Sequence, residues 1–105
     1  MLAAPRRLRH KNDFQLTVRS GQKASGSALV MYFKQTGAPV RFGFIVSGKI
    51  GNAVKRNRLK RQLRHIAAGT TGTGDVVVRA LPQATSISGA ELAEQFADCF
   101  ARLSK

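Results

Sequence analysis

Residues 40–65 read VRFGFIVSGKIGNAVKRNRLKRQLRH. The first part alternates with the period of two that marks a strand. Val40, Phe42, Phe44 and Val46 fall on one face, and Arg41, Gly43, Ile45 and Ser47 on the other. The first face is apolar and belongs to a core; the second is mixed and suited to face a ligand. Gly48 to Gly51 make a turn, and Asn52 is a helix N-cap. From there to about Ala68 the period becomes that of a helix. Leu59, Leu63, Ile66 and Ala67 cluster on one side, and Asn57, Arg61 and Arg64 on the opposite side. Lys60 flanks this polar stripe on one edge, Arg58 and His65 on the other. A strand with one apolar face followed by a helix with one apolar side makes a unit that packs helix on sheet.

The flanking chain extends the pattern. Residues 1–11 are a basic lead-in with Pro5, expected to be extended, and a short helix is expected over 12–19 with Asn12 as N-cap, Asp13 in its first turn and Gly21 as its stop. Residues 28–34 alternate as a strand, with Leu29, Met31 and Phe33 on one face and Val30, Tyr32 and Lys34 on the other. Gln35 to Pro39 reads as a hairpin loop to the next strand. After the Gly/Thr loop 69–74, Asp75 to Arg79 is a third strand, stopped by Pro82. Ser88 and Glu91 form a capping-box pattern, opening a helix with Leu92, Phe96, Cys99, Phe100 and Leu103 along one stripe. The order αββαβα describes one α+β domain, 1–105, with a small sheet. There is no internal repeat.

Charge narrows the function. The chain has 105 residues, with 18 Lys and Arg against 5 Asp and Glu, for a net charge of +13. Residues 1–74 hold every cation except Arg79, Arg102 and Lys105, opposed only by Asp13; the other four acids lie at Asp75, Glu91, Glu94 and Asp98. A solvated surface mixes its signs. Segregation on this scale fits a fold with one side turned to a polyanion. The apolar content of 43% provides a core, and the apolar runs are far shorter than a membrane span. No secretory pattern opens the chain, which points to the cytoplasm. A membrane surface as partner fits less well than nucleic acid, because the apolar side of the basic helix is narrow.

The basic helix carries the sharpest signal. Lys55, Arg56 and Arg58 occupy its first turns, where the macrodipole disfavours cations, and no acid lies at i±3 or i±4 to offset their repulsion. A helix selected only for its own stability would not be written this way. The guanidinium groups bridge phosphate oxygens and stack on bases. Asn57 is either a directional nucleic-acid contact or a local backbone partner, and spacing alone does not separate the two.

The block Gly43 to Arg64, with Arg56-Asn57-Arg58, Lys60-Arg61 and Leu63-Arg64 at its centre, resembles the signature of the bacterial ribonuclease P protein subunit. Leu8-Arg9, Asp13-Phe14, Gly21, Tyr32 and Asp75-Val-Val-Val extend the likeness over essentially the whole chain, with the C-terminal helix matching in pattern only. The resemblance implies a small α/β sandwich, ribosomal-protein-S5-domain-2-like, with a left-handed βαβ crossover around the basic helix, where the general rule gives a right-handed one. It implies an endoribonuclease that removes the 5′ leader of precursor tRNA, with catalysis carried by the RNA component and its bound Mg²⁺ and no catalytic or metal-binding residue in the protein. It implies two partners, the RNA subunit and precursor tRNA, with no membrane and no required protein partner. Carried over residue by residue, Arg56, Asn57, Arg58, Lys60, Arg61 and Arg64 contact RNA, and Phe14, Val18, Tyr32, Ser47 and Lys49 line a cleft for the single-stranded leader. Val18 stands where many members have a second aromatic, Gly48 replaces a cleft-corner lysine, and His65 replaces a usual acid.

The residues independently argue against protein-based catalysis. His10 and His65 lie in basic segments without a neighbouring acid, and Asp13 and Asp75 stand alone near element starts, where capping accounts for them. Cys99 lies on the apolar stripe of the last helix and reads as a core residue. Gly72-Thr-Gly74 lacks the lysine and following helix of a phosphate-binding loop. Two other classes remain: a structural RNA-binding protein, which needs the ridge but no aromatic groove, and a DNA-binding helix, which would want a dimer or a helix-turn-helix partner.

Overall fold

The computed structural model describes residues 7–8 and 11–104. The remaining basic lead-in residues, Arg6, Arg9 and His10 among them, lie outside the described residues. Helix α1 (Lys11–Ser20) is followed by strands β1 (Gln22–Ser25), β2 (Leu29–Pro39) and β3 (Arg41–Ile45), helix α2 (Ala53–Ala68), strand β4 (Thr73–Ala80) and helix α3 (Gly89–Leu103). Short 3-10 turns at Gly48–Ile50 and Pro82–Thr85 precede the last two helices. The expected αββαβα order holds, with one added strand. β1 carries the pattern Gln-Lys-Ala-Ser, with Ala24 as its one buried residue. So short a strand with a single apolar residue leaves no periodic signal.

The sheet order is β1-β2-β4-β3. This corrects the expected hairpin at Gln35 to Pro39. β2 instead continues to Pro39, opposite Thr73, and β4 lies between β2 and β3, antiparallel to the first and parallel to the second. The reason lies in Val76, Val77 and Val78, all fully buried. Three consecutive buried valines need a neighbour on both edges and cover on both faces, which only the central position supplies. The parallel pair β3 and β4 is joined through α2.

One face of the sheet forms the core. Leu29, Met31 and Phe33 of β2, Val76 and Val78 of β4 and Phe42 of β3 pack with Leu59, Leu63 and Ala67 of α2 and Leu92, Phe96, Cys99 and Leu103 of α3. Phe42 is central to it, with ring centroids 5.7 Å from Phe96 and 6.3 Å from Phe100. The predicted apolar stripes of α2 and α3 face this core, with Ile66 and Phe100 only partly buried at its edge. Two of the three predicted caps form: Asn52 Oδ1 accepts the Lys55 N–H at 3.0 Å, and Ser88 Oγ accepts the Glu91 N–H at 3.1 Å. Asn12, by contrast, lies within α1, because the helix begins a residue earlier at Lys11.

Candidate nucleic-acid interface

The other face of the sheet is read from the strand register. Cross-strand partners point the same way, so three rows run across it. The first joins Lys34, Asp75 and Arg41; the second Lys23, Tyr32, Val77 and Gly43; the third Ser25, Val30, Arg79 and Ile45. Helix α1 covers part of the first two rows. Thr17, fully buried, donates its hydroxyl to the Asp13 carbonyl at 2.9 Å. The Phe14 ring rests on Gly43, so closely that a Cβ there would collide with it. The third row stays open, with Arg79 and Ile45 exposed.

Asp13 and Asp75 are not explained by capping, contrary to expectation. Both turn to Arg41, whose Nε and Nη2 donate to the two carboxylate oxygens of Asp75, each at 2.9 Å, while Asp13 Oδ2 stands 3.8 Å from Nη2. Asp75 is only 6% exposed. The hydrogen bonds from Arg41 compensate its burial, as an enclosed carboxylate requires. Hydrogen bonding to Asp75, reinforced by the charges of Asp75 and Asp13, holds the Arg41 guanidinium above its usual range against the opposing effect of desolvation. One arginine thus holds both acids, Asp75 through two hydrogen bonds and Asp13 at longer range.

Two grooves meet at Phe14. One, of about 280 Å³, is lined by Phe14, Gln15, Val18, Arg19 and Ile45. The other, of about 310 Å³, is lined by Arg7, Leu8, Phe14, Phe42, Gly43, Phe44, Lys60 and Arg64. Its wall includes Arg7 and Leu8, which lie beside β3, with the Leu8 N–H donating to the Phe42 carbonyl at 2.8 Å. Of the expected cleft residues, Phe14 and Val18 share a groove. Tyr32 is half-buried on the same sheet face, two strands and about 10 Å from Gly43 across Val77. Ser47 and Lys49 are exposed at the turn after β3 and line neither groove. Ile45 lies on the strand face expected to meet a ligand and lines the smaller groove, while Arg79 beside it on β4 has no counterpart in the sequence reading. The alternation of Asp75, Val77 and Arg79 was visible, but nothing local told which face α1 leaves open.

On α2, Asn57, Arg58 and Arg61 are exposed, and Arg56, Lys60 and Arg64 are half-buried. Lys60 and Arg64 border the Phe14 groove. Arg58, with Lys55, borders a separate groove of about 340 Å³ against Thr85, Ser86 and Ile87. Among the described residues no α2 cation is paired with an acid; the ion pairs are those of Arg41 and an exposed Arg102–Asp98 contact at 3.1 Å. Arg56 Nε is buried without a hydrogen-bond partner among the described residues. Cys99 is a buried free thiol, and burial pushes its pKa up, with Arg102 acting the other way. No group of three His, Cys, Asp or Glu placed to hold a metal occurs among the described residues, nor does any helix long and apolar enough to cross a membrane.

The family model described as Ribonuclease P matches residues 2–104. The chain belongs to the ribonuclease P protein family. A ribonuclease P protein component of a Nocardioides species is 40% identical over 111 residues, covering 98% of this chain and 95% of that protein. Another, from Pseudarthrobacter chlorophenolicus, is 46% identical, covering 91% of this chain and 75% of its own length. The RNase P protein of Staphylococcus aureus shares the fold with a TM-score of 0.83 at 24% identity, over 95% of this chain and 98% of that one. That of Thermotoga maritima, in a complex with 1-(4-fluorophenyl)-2-thiourea, superposes with a TM-score of 0.79 at 28% identity, over 94% of this chain and 98% of that one. The fold expected from the resemblance is therefore the family fold. RNA binding and a part in precursor-tRNA processing follow from membership of the ribonuclease P family.

Proposed function

We propose that this chain is the accessory subunit of a ribonucleoprotein endonuclease. It binds the catalytic RNA through α2 and the 5′ leader of precursor tRNA through the face beneath α1, and so promotes removal of the leader. The observation that carries the reading is the unpaired cationic surface of α2 beside a groove floored by Phe14. Unpaired arginines bind phosphates and release counterions. An aromatic ring in a cationic groove grips single-stranded RNA by stacking. Arg56, Asn57, Arg58, Lys60, Arg61 and Arg64 act in RNA binding, and Phe14, Val18 and Tyr32 in leader binding, with Ser47 and Lys49 on the approach.

The protein supplies no catalytic group. Its donor set does not fit a magnesium site of its own, since Asp13 and Asp75 are engaged by Arg41 and the acids of α3 are spread along a helix. In this proposal Mg²⁺ is held mainly by the RNA. The chain works as one domain, in the cytoplasm, without a second protein. The test is cleavage of precursor tRNA by the RNA subunit at low Mg²⁺, with and without this chain. Cleavage at the mature 5′ end rises when the chain is added. Binding without any gain in cleavage marks a purely structural RNA-binding protein instead.

A further inference from the structure

Phe14 is held in place by more than its own helix. Gly43 lies directly beneath the ring, and a side chain there would displace it. The preceding residue on the helix, Asp13, stands 3.8 Å from Arg41, which the bidentate contact with Asp75 locks to β4. Arg41 and Gly43 are two apart on β3 and so share the face that α1 crosses. One end of α1 is thus tied to the sheet by charge, and the adjoining ring is seated by the absence of a Cβ. The height of Phe14 above the sheet in turn sets both grooves, because this one ring lines each of them.

We propose that Gly43 and the Asp13–Arg41 contact are positioning elements for Phe14, and that they set the shape of the groove and with it the preference for substrates that carry a leader. The proposal rests on the leader-groove reading above. Neither Gly43 nor Arg41 needs to touch the RNA. Gly43→Ala lifts the ring away from β3 and so changes the shape of both grooves it lines. Asp13→Asn loosens the tie and leaves the Arg41–Asp75 pair intact, so the folded core persists.

The experiment uses the reconstituted holoenzyme and two precursors, one with a long leader and one with a single-nucleotide leader. The ratio of their kcat/KM values measures leader preference. Gly43→Ala lowers that ratio about five- to tenfold, the weight of one stacked base, through KM rather than kcat. Asp13→Asn lowers it about twofold, as fits a partly exposed ion pair. In a Phe14→Ala background neither substitution lowers it further, since a residue acting through Phe14 has nothing left to position. An equal loss for both precursors, an unchanged ratio, or the same loss with and without Phe14 overturns the proposal. Phe14 ring-proton NMR shifts in the protein alone test the seating by themselves: they move in both variants, and unmoved shifts overturn it. If the shifts move but Phe14→Ala leaves leader preference unchanged, the leader-groove reading fails, and the specificity role fails with it.

Discussion

The α2 surface and the face beneath α1 are assembled from different material. α2 draws its cations from one helix of 16 residues, capped by Asn52 and seated on Leu59, Leu63 and Ala67. Every part of it is local, and its electrostatic cost is borne by the same helix: cations in the first turns against the dipole and no acid to pair with. The face beneath α1 takes Phe14 and Val18 from the helix, Gly43 and Ile45 from β3, Arg79 from β4 and Tyr32 from β2. Its two acids, Asp75 and Asp13, are both held by Arg41, while Arg79 on the same face has no acid partner among the described residues. One surface is an unpaid charge awaiting a polyanion; the other is a packed arrangement whose shape depends on pairs far apart in sequence.

The comparison predicts that damage to the two surfaces reads out differently. Replacing Arg56, Arg58 and Arg61 together by alanine lowers affinity for the RNA subunit about a hundredfold or more and reduces the salt slope by about three units. Titrations at several salt concentrations check this, and parallel slopes for parent and variant would remove the phosphate role of the ridge. The same substitutions leave the stability of the free protein unchanged or raise it, because they remove uncompensated repulsion. Arg41→Ala does the reverse. It leaves Asp75 enclosed and unpaired and costs about 2–3 kcal/mol in urea unfolding, less than a fully buried pair because the Arg41 side chain is 34% exposed. A negligible loss would show that the pair is ornamental to the fold.

Tyr32→Ala sharpens the contrast on the substrate side. It reduces discrimination of precursor from mature tRNA by about 1–2 kcal/mol and leaves affinity for the RNA subunit alone intact; equal loss for both tRNAs would place Tyr32 outside the leader path. Asn52→Ala removes the cap of α2 and lowers stability by about 1 kcal/mol, seen in thermal unfolding. The smallest effect is at Cys99. Its raised pKa keeps the thiol protonated near neutral pH, so thiol reagents leave the native protein unlabelled and react once it unfolds. Rapid labelling of the folded protein would mean that the α3 stripe opens readily.

Much of this was legible before the structure. The stripes on α2 and α3, both caps, the alternating faces of β2 and β3 and the segregated charge are all local patterns, and each lies where its period placed it. The basic block also sufficed to point to the family. The hairpin expected at Gln35 to Pro39 shows the limit. Gly37 and Pro39 make that stretch look like a turn between paired neighbours, and only the need to surround Val76, Val77 and Val78 decides that β4 comes between them. Asp13 and Asp75 show it again, because the arginine that joins them follows from the β3–β4 register and the placement of α1.

The sequence by itself determined the three helices and the cores of β2, β3 and β4, the sign and place of the charge, and the ridge on α2, because periodicity and capping act over a few residues. The tertiary structure alone decided the strand order, the engagement of Asp13 and Asp75 by Arg41, the opening of the row containing Arg79 and Ile45, and the seating of Phe14 on Gly43. These depend on which distant segments share a face of the sheet, and that is settled by the burial of β4 rather than by any local pattern.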